Sequence, residues 1–230
     1  MLLALDSATA SASIALFELE THQLLAEWSW QTRRYTQDLL ATAQLLLGQI
    51  EVRSDQITAL AVTTGPGSYT GVRVAVSVAK GIGLGLPQLP QVVGIPTLSV
   101  TAAPWRALSN RQTPTPLICA YLQAGRGRYN WVLFGEQDAL WRPGADDHGD
   151  GTAEEFCQAL AEHSTAVWLV GELDATLARG VSALDHVVTL DAVSGWRRAG
   201  HLARLASAYF AAGVEDGLQG LQPLYLRNLS

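Results

Sequence analysis

Two short stretches hold residues whose chemistry suits an anion. Asp6, Ser7 and Thr9 follow the apolar run Leu2 to Leu5 and precede Ser11 to Phe17. A carboxylate, two hydroxyls and backbone N–H groups at a hairpin turn can be aimed at a phosphate or at its metal ion. An acidic residue at a strand end also serves simply to cap a turn, and that alternative stays open. The second stretch, Gly65-Pro66-Gly67-Ser68, follows the strand-like run Ile57 to Val62 and opens a long apolar segment. Glycines at a helix N-terminus supply backbone donors and the positive end of the helix dipole, which together hold anions. A sharp strand-to-helix connection needs the same glycines for its dihedral angles alone. The GKS or GKT ending of a Walker loop is missing.

Other chemistries find little support. His22, His148, His163, His186 and His201 stand singly, without a second histidine at helical ligand spacing and without HExxH. GxSxG is absent, and neither Cys119 nor Cys157 sits in a nucleophile elbow. Their separation and the lack of CxxC read as two reduced, buried thiols. Asp146, Asp147 and Asp150 fall in a polar stretch where solvation is the ordinary explanation, although paired-carboxylate chemistry stays open there.

The elements that would position these residues follow from periodicity. Leu2 to Leu5 and Ser11 to Phe17 read as a hairpin, and His22 to Trp30 fits a third strand. Thr36 offers an N-cap hydroxyl with Asp38 in the first turn. The helix after it places Leu39, Ala43, Leu46 and Ile50 on one stripe, with Leu40 and Leu47 beside it. The segment from Tyr69 to Leu84 is apolar nearly all round. Gly71, Ala75, Val78 and Ile82 make one face, and Val72, Val76, Ala79 and Gly83 make another.

A helix greasy on two sides needs a cover on its outer side as well as a sheet beneath it. We therefore expect a partner interface at Leu39, Ala43, Leu46, Val72, Val76 and Ala79, against the alternative of a central helix buried in one domain. Gln91 to Ile95 continues as a strand and Thr97 to about Leu108 as a helix. Ser109 to Pro116 turns polar and proline-bearing, a lobe boundary that divides 1–108 from 109–230. Beyond it, Leu117 to Leu122, Tyr129 to Phe134, Val167 to Val170 and Val187 to Leu190 read as strands. Ala153 to Glu162 and Trp196 to Ala212 read as helices, Pro143 to Thr152 as an exposed loop, and the last helix is expected to pack back on the first lobe.

The whole sequence sets outer limits. The 230 residues are 48% hydrophobic and 16% charged, with a formal net charge of −6. Disorder is excluded by that apolar content. The greasiest stretch, Val72 to Leu86, carries Arg73, Ser77 and Lys80, so no run of roughly 18 apolar residues is available to span a membrane. The opening residues lack a basic n-region and read as a strand rather than a signal peptide. Lys80 is the only lysine, and the close basic pairs, Arg126 with Arg128 and Arg33 with Arg34 among them, are small. A protein that grips nucleic acid over a broad surface needs more than that.

Three stretches in this order resemble one family. Leu3-Ala4-Leu5-Asp6-Ser7-Ala8-Thr9 followed by Ser13-Ile14-Ala15-Leu16 resembles the opening hairpin of the TsaB/YeaZ proteins. Gly65-Pro66-Gly67-Ser68-Tyr69-Thr70-Gly71-Val72-Arg73 resembles their most distinctive motif, and Pro223-Leu224-Tyr225-Leu226-Arg227 their closing segment. Two departures stand out: Ala8 removes a hydroxyl from the opening loop, and Tyr35 replaces a frequent histidine.

The resemblance implies an α/β protein of the actin/Hsp70-like (ASKHA, ribonuclease H-like) type, two-lobed, with mixed central sheets flanked by helices. It implies a non-catalytic, cytoplasmic subunit of the assembly that makes N6-threonylcarbamoyladenosine in tRNA. Its partners would be a TsaD-like catalytic subunit, carrying the metal-binding HxxxH that this chain lacks, and a TsaE-like ATPase. Alone it would form a homodimer, meeting tRNA only through the complex. It would require no cofactor, with room for ATP or ADP at the subunit junction. A separate reading from the residues is a small kinase or ATPase of the same superfamily, acting through Asp6 and the Gly65-to-Ser68 turn.

Overall fold

The computed structural model describes residues 1–31, 39–135, 139–191 and 193–226. Thr36 and Asp38 as helix caps, the Arg33–Arg34 pair, Tyr35 and Arg227 lie outside the described residues. The chain divides into two units, one of Met1–Val100 with Arg198–Tyr225, the other of Thr101–Arg197 with the last residues. Set beside the expected boundary after 108, the division falls inside a helix, and the chain re-enters the first unit at Arg198.

Unit 1 is built on a five-stranded sheet in the order β3-β2-β1-β4-β5. Its strands are β1 (Leu2–Asp6), β2 (Ser11–Glu18), β3 (Gln23–Gln31), β4 (Ala59–Thr63) and β5 (Gln91–Ile95). β1 runs antiparallel to β2 and parallel to β4, so the hairpin turn after Asp6 and the turn after Thr63 emerge at one end of the sheet. β1 and β4 are buried on both faces, which is why they read as continuous apolar runs rather than alternating ones.

Two helices cover one face, α1 (Leu39–Gln49) and α2 (Tyr69–Gly85). Leu39, Ala43, Leu46, Ala75, Val76 and Ala79 pack there against Leu3, Leu5, Ile14, Leu16, Leu60 and Val62. By alternation along the strands, Leu2, Ala4, Ala15 and Ala61 face the other side. A helix from late in the chain, α6 (Ala199–Ala211), packs on these strands and buries Leu202, Ala203 and Ala206. Glu27 on β3 ties α6 down at its start, accepting hydrogen bonds from the Gly200 N–H at 2.8 Å and the Arg198 Nε at 2.9 Å.

Unit 2 repeats the sheet in the order β10-β9-β6-β7-β8. Its strands are β6 (Leu117–Gly125), β7 (Arg128–Phe134), β8 (Gly149–Thr152), β9 (Val167–Val170) and β10 (Val187–Thr189). β6 is antiparallel to β7 and parallel to β9, as β1 is to β2 and β4. α4 (Ala153–Ala161) and α5 (Ala175–Val181) accompany it, and α3 (Thr97–Ser109) leads into it. Two elements differ from the sequence expectation. β8 lies within the stretch read as a loop, and α5 has no counterpart in that reading. β8 is Gly-Asp-Gly-Thr, a composition poor in strand formers, and it exists because β7 supplies the ladder. A Cβ on Gly149 would fall 2.1 Å from the Trp131 ring, so glycine is needed for the close approach.

Candidate functional site

Asp6, Ser7, Gly65, Gly67 and Ser68 lie together where two loops meet, and the hydrogen bonds of Asp6, Ser7 and Ser68 go to neighbouring backbone and to Thr63. Asp6 ends β1 at 1% exposure, and its Oδ1 accepts the Ala8 N–H at 2.9 Å and the Thr63 hydroxyl at 2.8 Å. The carboxylate thereby joins the turn after β1 to the end of β4. Ser7 Oγ donates to the Gly71 carbonyl at 2.8 Å, and the Ser68 N–H donates to the Ala8 carbonyl at 2.6 Å. Ser68 is the N-cap of α2, its Oγ accepting the Gly71 N–H at 3.2 Å. Thr9 stands apart on the hairpin turn, where its hydroxyl accepts the Ser11 N–H at 3.2 Å.

The glycines explain how tightly the two loops meet. A Cβ on Gly67 would fall 2.1 Å from the Ala8 carbonyl oxygen, and one on Gly71 would fall 2.0 Å from that of Ser7. Gly65 has φ +111°, outside the range of ordinary side chains, and a Cβ there would meet the Leu224 carbonyl at 2.8 Å. The Leu224 N–H in turn donates to the Thr64 carbonyl at 2.7 Å, so the closing segment of the chain seals the turn. The N–H groups of Ser68 and Gly71, which would otherwise face an anion at the helix end, are spent internally. Chemically, the arrangement is a clasp that fixes the first turn of α2 on the β1–β2 loop.

The six residues expected at a partner interface sit elsewhere than on a surface. Leu39, Ala43, Leu46, Val72, Val76 and Ala79 are all buried in the core of unit 1, Val76 at 5% exposure. They are the stripe that holds the helices to the sheet, so no partner can touch them in the folded chain. What the same helices turn outward is a different set. On α1 it is Leu40, Ala41, Gln44, Leu45, Gly48 and Gln49, and on α2 Thr70, Arg73, Ser77, Gly81, Leu84 and Gly85. Leu45 is 61% exposed and Leu84 75%, while Val74, Val78 and Ile82 are half-buried along the edge. A shallow groove runs along α2 past Tyr69, Thr70, Arg73, Val74, Ser77 and Val78. Sequence reasoning missed this face because it carries no strong periodic signal. Its mark is the absence of charge on α1 and the lack of any acid on α2.

Unit 2 has its own polar centre. Asp174 caps α5, accepting the Thr176 and Leu177 N–H groups at 2.8 and 2.9 Å, and also takes hydrogen bonds from Tyr129 and Gln123. Burial works against its charge, but these donors outweigh it and hold the carboxyl below the usual range. The Tyr129 phenol is pushed up to about 12, by burial first and then by donation to Asp174. Cys119 is raised by burial, as fits an inert core thiol. Among the described residues no group of three or more His, Cys, Asp or Glu could hold a metal ion, and no described helix is long and apolar enough to cross a membrane.

A family model described as "TsaD: tRNA N6-adenosine threonylcarbamoyltransferase" matches residues 29–158, more than half of the chain. The tRNA threonylcarbamoyladenosine biosynthesis protein TsaB of Escherichia coli (strain K12) is 29% identical over 240 residues, covering 99% of this chain and 94% of that protein. Among solved structures, YeaZ from Pseudomonas aeruginosa matches with a TM-score of 0.74 and 25% identity, covering 98% of this chain and 99% of that one. The ethanolamine utilization protein EutJ from Carboxydothermus hydrogenoformans matches at TM-score 0.50 with 12% identity over 88% of this chain and 89% of its own, a likeness of fold alone. The fold is the actin/Hsp70-like one, with two mixed sheets flanked by helices.

Proposed function

Because this chain belongs to the TsaB/YeaZ family, we propose that it acts as the non-catalytic subunit of the assembly that installs threonylcarbamoyl groups on tRNA adenosine. A role in tRNA threonylcarbamoyladenosine biosynthesis comes with the family. In the finer reading the chain binds a TsaD-like catalytic subunit, which supplies the metal site, and works in the cytoplasm with a TsaE-like ATPase. Transfer RNA is then held by the complex, and any ATP or ADP belongs at the junction with the partner.

One observation carries this reading. The outer faces of α1 and α2 expose leucines, alanine and glycines with no acidic residue, whereas a solvent-facing helix ordinarily carries charge on that side. The clasp supports it from the other direction. Asp6, Ser7 and Ser68, which the ATPase reading would direct at phosphates, are engaged internally, Asp6 with Ala8 and Thr63, and Ser7 and Ser68 with Gly71 of α2.

Reconstitution with TsaD-like and TsaE-like relatives tests the proposal through threonylcarbamoyl transfer to tRNA. Transfer is expected to require this chain, and the chain alone is expected to turn over no magnesium-ATP. Full transfer in its absence, or ATP hydrolysis by the isolated chain that disappears in Asp6→Asn, would overturn the reading.

A further inference from the structure

The closing segment of the chain does more than seal the Gly65 turn. After α6 it runs from Val214 to Tyr225 across unit 1, and it is seated at each step. β5 is an edge strand of the sheet, and Asp216 takes up its open side. The Asp216 N–H donates to the Val92 carbonyl at 2.8 Å, and its carboxylate accepts the Gly94 N–H at 2.7 Å. Leu218 fills the hollow at Gly83, near the end of α2, where a Cβ would fall 2.6 Å from it. Leu221 does the same at Gly94, at 2.8 Å, and Leu224 then meets the Gly65 turn. With Tyr225 against Tyr69, the segment touches α2 near both ends, about 21 Å of helical rise apart.

That last contact differs in kind from the others. Leu221 is 1% exposed, whereas Tyr225 is 52% exposed and Tyr69 62%. The two tyrosine rings lie 5.8 Å apart at a tilt of 35°. The Arg73 guanidinium lies over the Tyr69 ring, 4.9 Å from its centroid, and donates to the Tyr69 hydroxyl. A stack this open to water returns little to the stability of the fold. What it does is choose a rotamer. An arginine on a helix surface otherwise samples many, and a binding partner has to still them at a cost in affinity. Here the choice is made in the free protein, and the guanidinium carries five donors, of which the Tyr69 hydroxyl takes one.

Resting on the reading of the outer α2 face as a partner surface, we propose that Tyr225 is a positioning residue for partner binding. Its ring fixes Tyr69, and Tyr69 presents Arg73 in the orientation that the partner meets. The buried anchors at Asp216, Leu218, Leu221 and Leu224 carry Tyr225 to that place, so the end of the chain arranges a surface built by its first hundred residues. Removing the Tyr225 ring then leaves the fold intact and returns Arg73 to its rotamers.

Titration calorimetry of the full chain against a TsaD-like catalytic relative tests this, with thermal unfolding followed for every variant. Tyr225→Ala is expected to bind about tenfold more weakly while unfolding at the wild-type midpoint. Tyr225→Phe keeps the ring and is expected to bind as wild type does. Because Tyr225 acts through Arg73, adding Tyr225→Ala to Arg73→Ala should weaken binding no further. Wild-type affinity in Tyr225→Ala, a Tyr225→Phe as weak as Tyr225→Ala, or additive losses in the double variant would each overturn the proposal. So would a markedly lowered midpoint in Tyr225→Ala, which would make the ring a part of the core. Ser77→Trp, in the middle of the exposed face, separates this from failure of the underlying reading. If Ser77→Trp abolishes binding while Tyr225→Ala binds as wild type does, the face is an interface that Tyr225 does not arrange. If Ser77→Trp binds unchanged, the face itself is misassigned and both readings fall.

Discussion

The sheets β3-β2-β1-β4-β5 and β8-β7-β6-β9-β10 follow one plan, while the helices laid over them present opposite surfaces. In unit 1, α1 turns Leu40, Leu45 and Gln44 outward, and α2 adds Ser77, Gly81 and Leu84. In unit 2, α4 turns out Glu154, Glu155 and Gln158, and opens with a capping box in which Thr152 and Glu155 satisfy each other's backbone N–H groups. The turns differ in the same sense. After β9 the helix is capped by Asp174, which also gathers Tyr129 and Gln123 from the neighbouring hairpin. After β4 it is capped by Ser68 within a clasp that has no room for a side chain at Gly67 or Gly71. One unit has helices finished with charge, and the other has helices whose outer faces are apolar and free of acid.

Four substitutions and one titration sharpen this contrast, and the largest effect belongs to the core side of α2. Val76→Glu buries an unpaired carboxylate and is expected to cost about 4 kcal/mol, enough to unfold unit 1, whereas Ser77→Glu should leave thermal unfolding within about 0.5 kcal/mol of wild type. Equal effects at the two neighbours would mean that the inner and outer faces have been confused. Gly71→Ala drives a methyl into the Ser7 carbonyl, and a loss of about 3 kcal/mol in urea unfolding is anticipated. Ser7→Ala removes the hydroxyl that meets Gly71 O and should cost about 1 kcal/mol.

The smallest effect is an acid titration in unit 2. Asp174 has its pKa lowered on folding, so it stabilises the unit above the unfolded carboxyl value of about 3.9, and that contribution is lost as pH falls through the lower folded value. Asp174→Asn should flatten the stability curve below about pH 4, and a curve unchanged by the substitution would contradict the assignment.

Much of unit 1 was legible because its strands and helices are long, apolar and punctuated by glycine. β1, β4, α2 and the Gly65 turn all stand where periodicity put them. The stripe expected to meet a partner is buried for a physical reason. Hydrophobic periodicity finds the stripe that pays back most on burial, and in a folded chain its own sheet takes that stripe first. Val72, Val76 and Ala79 went inward, and the surface left outside is the milder one of Ser77, Gly81 and Leu84. In unit 2, β8 was hidden because Gly-Asp-Gly-Thr forms a strand only where β7 and the Trp131 ring wait for it. α5 is seven residues long, too short for periodicity, although the Asp174 cap was a readable sign.

Amide hydrogen exchange on the intact chain, with and without a TsaD-like catalytic relative, tests the central claim most directly. Slowed exchange is predicted across residues 40–49 and 69–85, the outer helices of unit 1, with α4 and α5 unchanged. Protection confined to unit 2, with α1 and α2 exchanging as they do in the free protein, would contradict the account.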